Sequence, residues 1–158
     1  MLWGTLAYLF NVWDGSEPFS SVVRAAKAKG YTEPDPRDDL SGTDFARKLI
    51  ILGREMGLRL ELADVQHESL VPRALASCTA DEFLELLPAF DPAMAEPLQA
   101  ARSRDRVLRY IGSLDAATGK ASVGLVELER SHTFANINLT DNVVRFLTQR
   151  YNQNPLVV

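Results

Sequence analysis

Two prolines set two residues apart constrain this chain more than any other feature. Pro34 and Pro36 lie in the run Tyr31-Thr-Glu-Pro-Asp-Pro-Arg-Asp-Asp-Leu40. Each lacks a backbone N–H, and each biases the residue before it, Glu33 and Asp35, toward extended conformations. Residues 31–40 therefore read as an irregular loop, and regular structure must stop before it and start afresh after it. Before it, Phe19, Val22, Val23 and Ala26 recur on one side of residues 19–29, with Arg24, Lys27 and Lys29 on the other and Gly30 closing the turn, which predicts a helix. After it, Ser41 and Asp44 have the form of a capping box ahead of a periodic run to Met56 and Gly57. That run predicts a second helix with Phe45, Leu49, Leu52 and Met56 toward the core and Asp44, Lys48 and Glu55 on the adjacent stripe.

The same stretch holds the charge. The 158 residues include 21 acids and 17 bases, for a net charge of −4, and residues 33–44 hold Glu33, Asp35, Asp38, Asp39 and Asp44 against Arg37 alone. Everything else is balanced. No positive field exists to gather the phosphates of a nucleic acid or an anionic lipid. The apolar start, residues 1–10, has no basic lead-in and is too short to span a membrane. The single cysteine, Cys78, excludes an intramolecular disulfide and points to a reducing cytoplasm. With no histidine beside it, Cys78 reads as an inert thiol.

Elsewhere, helical spacing over residues 5–13 gives another helix, and shorter helices are expected near residues 81–87 and 92–103. Strands are expected at 65–70, 107–114, 121–129 and 142–150, the second and third joined as a hairpin by a turn containing Gly119. Helices followed by strands predict an α+β fold, with helices on one face of a mainly antiparallel or mixed sheet, in one domain over 1–158. Both ends are abruptly apolar, as expected of a domain cut from something longer.

No glycine-rich phosphate loop is present, so no nucleotide site is expected within these residues. His67 and His132 stand far apart without companion ligands, so no metal is expected. Asn138-Leu-Thr140 matches a glycosylation sequon that would matter only in a secreted protein. The acidic segment and Lys48 remain. Asp44 and Lys48, four apart, project from one helix face, and the ordinary account is a solvated ion pair worth about 0.3–0.5 kcal/mol. Five carboxylates on one stiff loop repel unless backbone donors, Arg37, Lys48 or a cationic ligand offset them. A magnesium ion there would want a bridging phosphate, so a substrate ammonium group suits the cluster better.

The run from Tyr31 through Ser41-Gly-Thr-Asp-Phe-Ala-Arg-Lys48 resembles the signature of homoserine dehydrogenases, including those fused to aspartokinase. Supporting segments are Gly4-Thr-Leu-Ala-Tyr-Leu-Phe-Asn11, Glu68-Ser-Leu-Val-Pro72, Val107-Leu-Arg-Tyr110 and Asn154-Pro-Leu-Val157, and the segments at 11–19 and 155–158 look most like the bifunctional methionine-branch enzymes. The resemblance implies a substrate-binding and dimerisation domain lacking its dinucleotide domain. It implies a homodimeric parent that interconverts L-homoserine and L-aspartate 4-semialdehyde with NAD(P), the cofactor being held outside this chain, which alone would be inactive. By matching position, Lys48 and Asp44 would be the catalytic lysine and its partner aspartate. Glu33, Asp39, Tyr31, Gly4 and Thr5 would line the substrate, and Asp38 and Arg37 would brace the loop. Trp3 departs from the small polar residue usual before Gly-Thr in the family. The competing expectation is an assembly module that pairs through its late strands while the acidic loop stays idle.

Overall fold

A computed structural model describes residue 1, residues 4–137 and residues 141–158. Trp3 and the sequon at residues 138–140 lie outside the described residues. In chain order the elements are α1 (Gly4–Val12), α2 (Phe19–Ala28), α3 (Pro36–Leu40), α4 (Thr43–Glu55), β1 (Val65–His67), α5 (Ala80–Leu86), α6 (Asp91–Ser103), β2 (Arg106–Asp115), β3 (Lys120–Glu129), β4 (Arg145–Phe146) and β5 (Leu156–Val157). Helices layered against a small mixed sheet make this an α+β domain.

The sheet has the order β1-β3-β2, with β1 parallel and β2 antiparallel to β3. The expected hairpin is present in full, running in unbroken register from Arg106↔Glu129 to Asp115↔Lys120. Its turn is tied by Asp115, whose carboxylate accepts from the Ala117 amide at 2.9 Å and the Thr118 hydroxyl at 2.8 Å. Because successive residues of a strand point to opposite faces, Leu108, Tyr110, Gly112 and Leu114 share one face of β2. Helices α1, α4 and α6 pack against β2. Tyr110 anchors that core: its ring is fully buried, 6.4 Å from Phe10 of α1 and 5.9 Å from Phe45 of α4. Phe10 in turn meets Trp13 at 5.9 Å and Phe19 at 6.0 Å, which draws α2 in.

A smaller cluster of Ala7, Ile111, Phe134 and Val143 joins α1, β2 and the segment after the hairpin. Beside it sits Arg109, a buried guanidinium with no carboxylate partner among the described residues. It donates instead to the carbonyls of Phe134 at 3.1 Å, Phe10 at 2.8 Å, Leu108 at 2.9 Å and Ala135 at 2.9 Å, and burial lowers its pKa. A buried charge is tolerated where hydrogen bonds replace its water. On the other sheet edge, the Glu68 amide extends β1 by donating to Val123 at 2.8 Å, and the Glu68 carboxylate accepts from the Leu125 amide at 2.9 Å. A side chain at Gly124 would collide with that carboxylate, since a Cβ there would stand 2.8 Å from Glu68 Oε2.

Four expectations are corrected. Residues 31–40 are not wholly irregular: Pro36 opens α3, because proline at the first helical position gives up only an N–H that had no partner there. The final strand is not residues 142–150 but Arg145–Phe146, paired with Leu156–Val157. The 65–70 strand stops at His67, after which the chain turns so that the Leu70 amide meets the Leu40 carbonyl at 2.9 Å. Of the α4 stripe, Phe45 and Leu49 are buried and Leu52 is half-buried, but Met56 is 47% exposed; Ala46, Ile50 and Gly53 complete the buried face.

Candidate functional site

The acidic segment begins where α2 ends. The Tyr31 amide caps the helix by donating to the Ala26 carbonyl at 3.0 Å, and the Tyr31 ring lies 4.7 Å from the buried Tyr8 ring. Lys29 donates to the Tyr8 hydroxyl at 3.1 Å, a bond that raises the lysine pKa. The Tyr31 carbonyl is 2.6 Å from the Thr5 hydroxyl, and that hydroxyl also lies 2.7 Å from Asp39 Oδ1, so Thr5 shares its proton between them. The other Asp39 oxygen accepts the Glu33 amide at 2.8 Å. Asp39 thus folds the proline-stiffened strand back on itself and ties it to the first turn of α1.

Arg37 fixes the far side of the loop. It pairs with Asp35 at 2.5 Å, reaches the carbonyls of Leu75 and Cys78, and lies 5.7 Å over the buried Phe83 ring of α5. Asp35 also caps α3 by accepting the Arg37 amide at 3.0 Å. The side-chain bond from Arg37, with a smaller contribution from that amide, holds the Asp35 carboxyl below the usual carboxylate range. Bracing is therefore shared by Arg37 and Asp35. Asp38, expected to brace, contributes its backbone carbonyl to the Ser41 hydroxyl at 3.0 Å, while its carboxylate is exposed and has no hydrogen bond or ion pair among the described residues.

The step from α3 to α4 differs from the expected capping box. Gly42, not Ser41, is the N-cap, at a left-handed φ of 71°. A Cβ there would lie 2.1 Å from the Tyr110 hydroxyl, which donates to the Glu68 carbonyl. Glycine satisfies both demands at once. Ser41 instead accepts the Thr43 amide at 3.2 Å. The corner is short enough that the Gly42 amide still reaches the Asp39 carbonyl at 3.1 Å. Asp44 and Lys48 follow on the first turns of α4, their charges 2.6 Å apart and their side chains 62% and 33% exposed.

The structure therefore brings Gly4, Thr5, Tyr31, Glu33 and Asp39 into one connected patch and sets Asp44 with Lys48 one helical corner away. Of the five carboxylates, Asp35, Asp39 and Asp44 have partners. Those of Glu33 and Asp38 make no hydrogen bond or ion pair among the described residues, and Asp38 adds its attraction to the Arg37 guanidinium. Among the described residues no group of three or more His, Cys, Asp or Glu is arranged to hold a metal ion. Cys78 is a free, half-buried thiol that donates to the Leu75 carbonyl at 3.2 Å. His132 accepts the Phe134 amide at 3.1 Å, and His67 is exposed on β1.

Asn142 was not anticipated: its Oδ1 accepts the Gly4 amide at 2.8 Å, at the start of α1. The available signal was the polar pair Asp141-Asn142 immediately before Val143-Val144, which marks an end rather than the start of a strand. Arg109 also carried a signal, as the one charge within the apolar stretch Val107-Leu108-Arg109-Tyr110-Ile111.

The comparisons with known proteins agree over the whole length. The chain is 52% identical over 156 residues to a chloroplastic bifunctional aspartokinase/homoserine dehydrogenase of Zea mays, covering 98% of this chain and 17% of that protein. It is 45% identical to the homoserine dehydrogenase of Schizosaccharomyces pombe, covering 43% of that protein. It thus spans less than half the length of these relatives. A crystal structure of a protein of unknown function from Candida auris superposes with a TM-score of 0.92 at 43% identity, covering 99% of this chain and 45% of that one. The fold also matches a Staphylococcus aureus homoserine dehydrogenase with a TM-score of 0.73 at 19% identity, covering 99% of this chain and 35% of that one. The homoserine dehydrogenase family model matches residues 1–158, and the chain belongs to that family.

Proposed function

We propose that residues 1–158 form the substrate-binding and catalytic domain of a homoserine dehydrogenase, whose parent reversibly converts L-aspartate 4-semialdehyde to L-homoserine with NAD(P). The observation that carries the reading is the Asp44–Lys48 pair on α4, one corner from the Asp39-centred patch. In this reading Glu33 and Asp39 face the substrate ammonium, and Thr5, Gly4 and Tyr31 shape the surface that receives the rest of the amino acid. A nicotinamide cofactor, when bound, would supply the hydride to the aldehyde carbon or take it back. Hydride addition leaves an alkoxide, and the Lys48 ammonium donates the proton that makes the alcohol; in reverse, the amine recovers it. Asp44 holds Lys48 in position through the 2.6 Å ion pair. Water exclusion falls to the loop, which Asp39 ties to α1 through Thr5 and Arg37 ties to the Leu75 and Cys78 carbonyls.

The test is Lys48→Ala in the full-length parent. Loss of a positioned proton donor costs about 10²–10⁴-fold in kcat, with the fold intact by circular dichroism. A Lys48→Ala enzyme with wild-type turnover overturns the assignment. The isolated chain, whose sequence holds no glycine-rich phosphate loop, is expected to show no turnover.

Pairing of two copies belongs to the same proposal. Val126 is 41% exposed on the hairpin face it shares with Arg109 and Ile111. Sedimentation of the chain is expected to show a dimer, and a monomer at high concentration counts against it. Among the described residues no helix is long and apolar enough to cross a membrane. The maize relative is named as chloroplastic; for this chain, the lone cysteine supports a reducing compartment such as the cytoplasm.

A further inference from the structure

We infer that Asn142 is a positioning residue for the substrate patch, acting through Gly4 on Thr5; this rests on the function proposed above. Gly4 has no side chain by which packing could hold it, and as the first residue of α1 its amide has no partner within the helix. Asn142 Oδ1 is the acceptor that fixes it, at 2.8 Å.

Asn142 is itself held from behind, although its side chain is on an exposed residue. Val143 is buried with Ala7 of α1, Ile111 and Phe134. Val144 exchanges both backbone hydrogen bonds with Val158 at 2.9 Å. Further back, Arg109 grips the Phe134 and Ala135 carbonyls together with the Phe10 carbonyl near the other end of α1. Arg109 of β2 thus joins the segment after the hairpin to one end of α1, and Asn142 joins that segment to the other.

Thr5 follows Gly4 directly, and its hydroxyl is the joint between α1, the Tyr31 carbonyl and Asp39. Without the Asn142 acceptor the first turn of α1 frays, the Thr5 hydroxyl leaves its place, and Asp39 loses one of its two ties. Ground state and transition state suffer alike, because the reacting oxygen and Lys48 are not displaced. The signature is therefore a raised KM with kcat retained.

In the full-length parent, Asn142→Ala is expected to raise the KM for L-homoserine about tenfold, the weight of about one lost hydrogen bond, with kcat within about twofold. Asn142→Asp, which restores the acceptor at the same reach, is expected to recover most of that loss. In the chain itself, hydrogen exchange at the Gly4 amide should accelerate in Asn142→Ala and slow again in Asn142→Asp. An unchanged KM in Asn142→Ala overturns the inference. So does a rise in KM that Asn142→Asp fails to relieve while Gly4 exchange is restored. If Lys48→Ala keeps its turnover, the proposed function fails first; if Lys48→Ala is inactive and Asn142→Ala is kinetically silent, only the role of Asn142 is lost.

Discussion

The hairpin and the acidic loop are placed by opposite means. Strands β2 and β3 are held by a continuous ladder from Arg106↔Glu129 to Asp115↔Lys120, and one of their faces is sealed under helices. The segment from Tyr31 to Leu40 has no ladder. It is placed by a few side chains bonding to backbone: Thr5 to Tyr31, Asp39 to Glu33, and Arg37 to Leu75 and Cys78. A ladder distributes its loss over many contacts, so damage there is cooperative and global. A loop held by single polar ties can be loosened locally while the domain stays folded, which suits a surface that must admit and release a ligand.

The largest effect is expected where the two regions touch. Gly42→Val places a branched side chain at a left-handed φ and against the Tyr110 hydroxyl, and should cost about 3–5 kcal/mol by urea unfolding. A cost below about 1 kcal/mol would show that loop and hairpin are independent. Next is Arg109→Met, which leaves the Phe134, Phe10 and Ala135 carbonyls without their donor and should cost about 2–3 kcal/mol. Its urea m-value should be unchanged if unfolding stays all-or-none.

The smallest global effect is expected for Arg37→Gln, which cuts the loop from α5: exchange at the Arg37 amide should quicken while the hairpin amides stay protected. It also sharpens the comparison through pH. Asp35 has a lowered pKa in the folded state because of Arg37, so the stability this pair contributes is fully present above the ordinary carboxylate pKa. That contribution fades as pH falls from about 4 downward. The gap between the thermal midpoints of the wild type and Arg37→Gln should narrow below that range; a constant gap down to pH 2 would mean that Arg37 acts through the Leu75 and Cys78 carbonyls and Phe83 and not through Asp35.

Patterns of period and alternation were legible in the residues: both long β-strands and helices α1, α2, α4 and α6 follow from spacing, because each buries one stripe or face. What failed depended on distant neighbours. Ser41 and Asp44 spell a capping box, yet the cap passes to Gly42 because Tyr110, far along the chain, occupies the space a side chain would need. Pro36 stops a helix only from the inside; at the start of one it is harmless, and Asp35 caps it. Met56 follows the apolar period but is the C-cap residue of α4, where little remains to cover its side chain. At the site, the residues matched by resemblance formed a connected patch, whereas Asn142 could not be found from spacing, since its partner lies 138 residues away.

Glu68 has a consequence for self-association. Strand β1 covers β3 only as far as Val123, so the N–H groups beyond it would be open to any passing extended chain. The Glu68 carboxylate occupies the next of them, at Leu125, and the missing side chain of Gly124 is what lets it lie flat against the edge. An intruding strand must displace a charged group from a hydrogen bond and bury or expel it, which makes edge-to-edge growth unfavourable. Beyond its part in shaping this domain, that one carboxylate protects the sheet from becoming a template for aggregation.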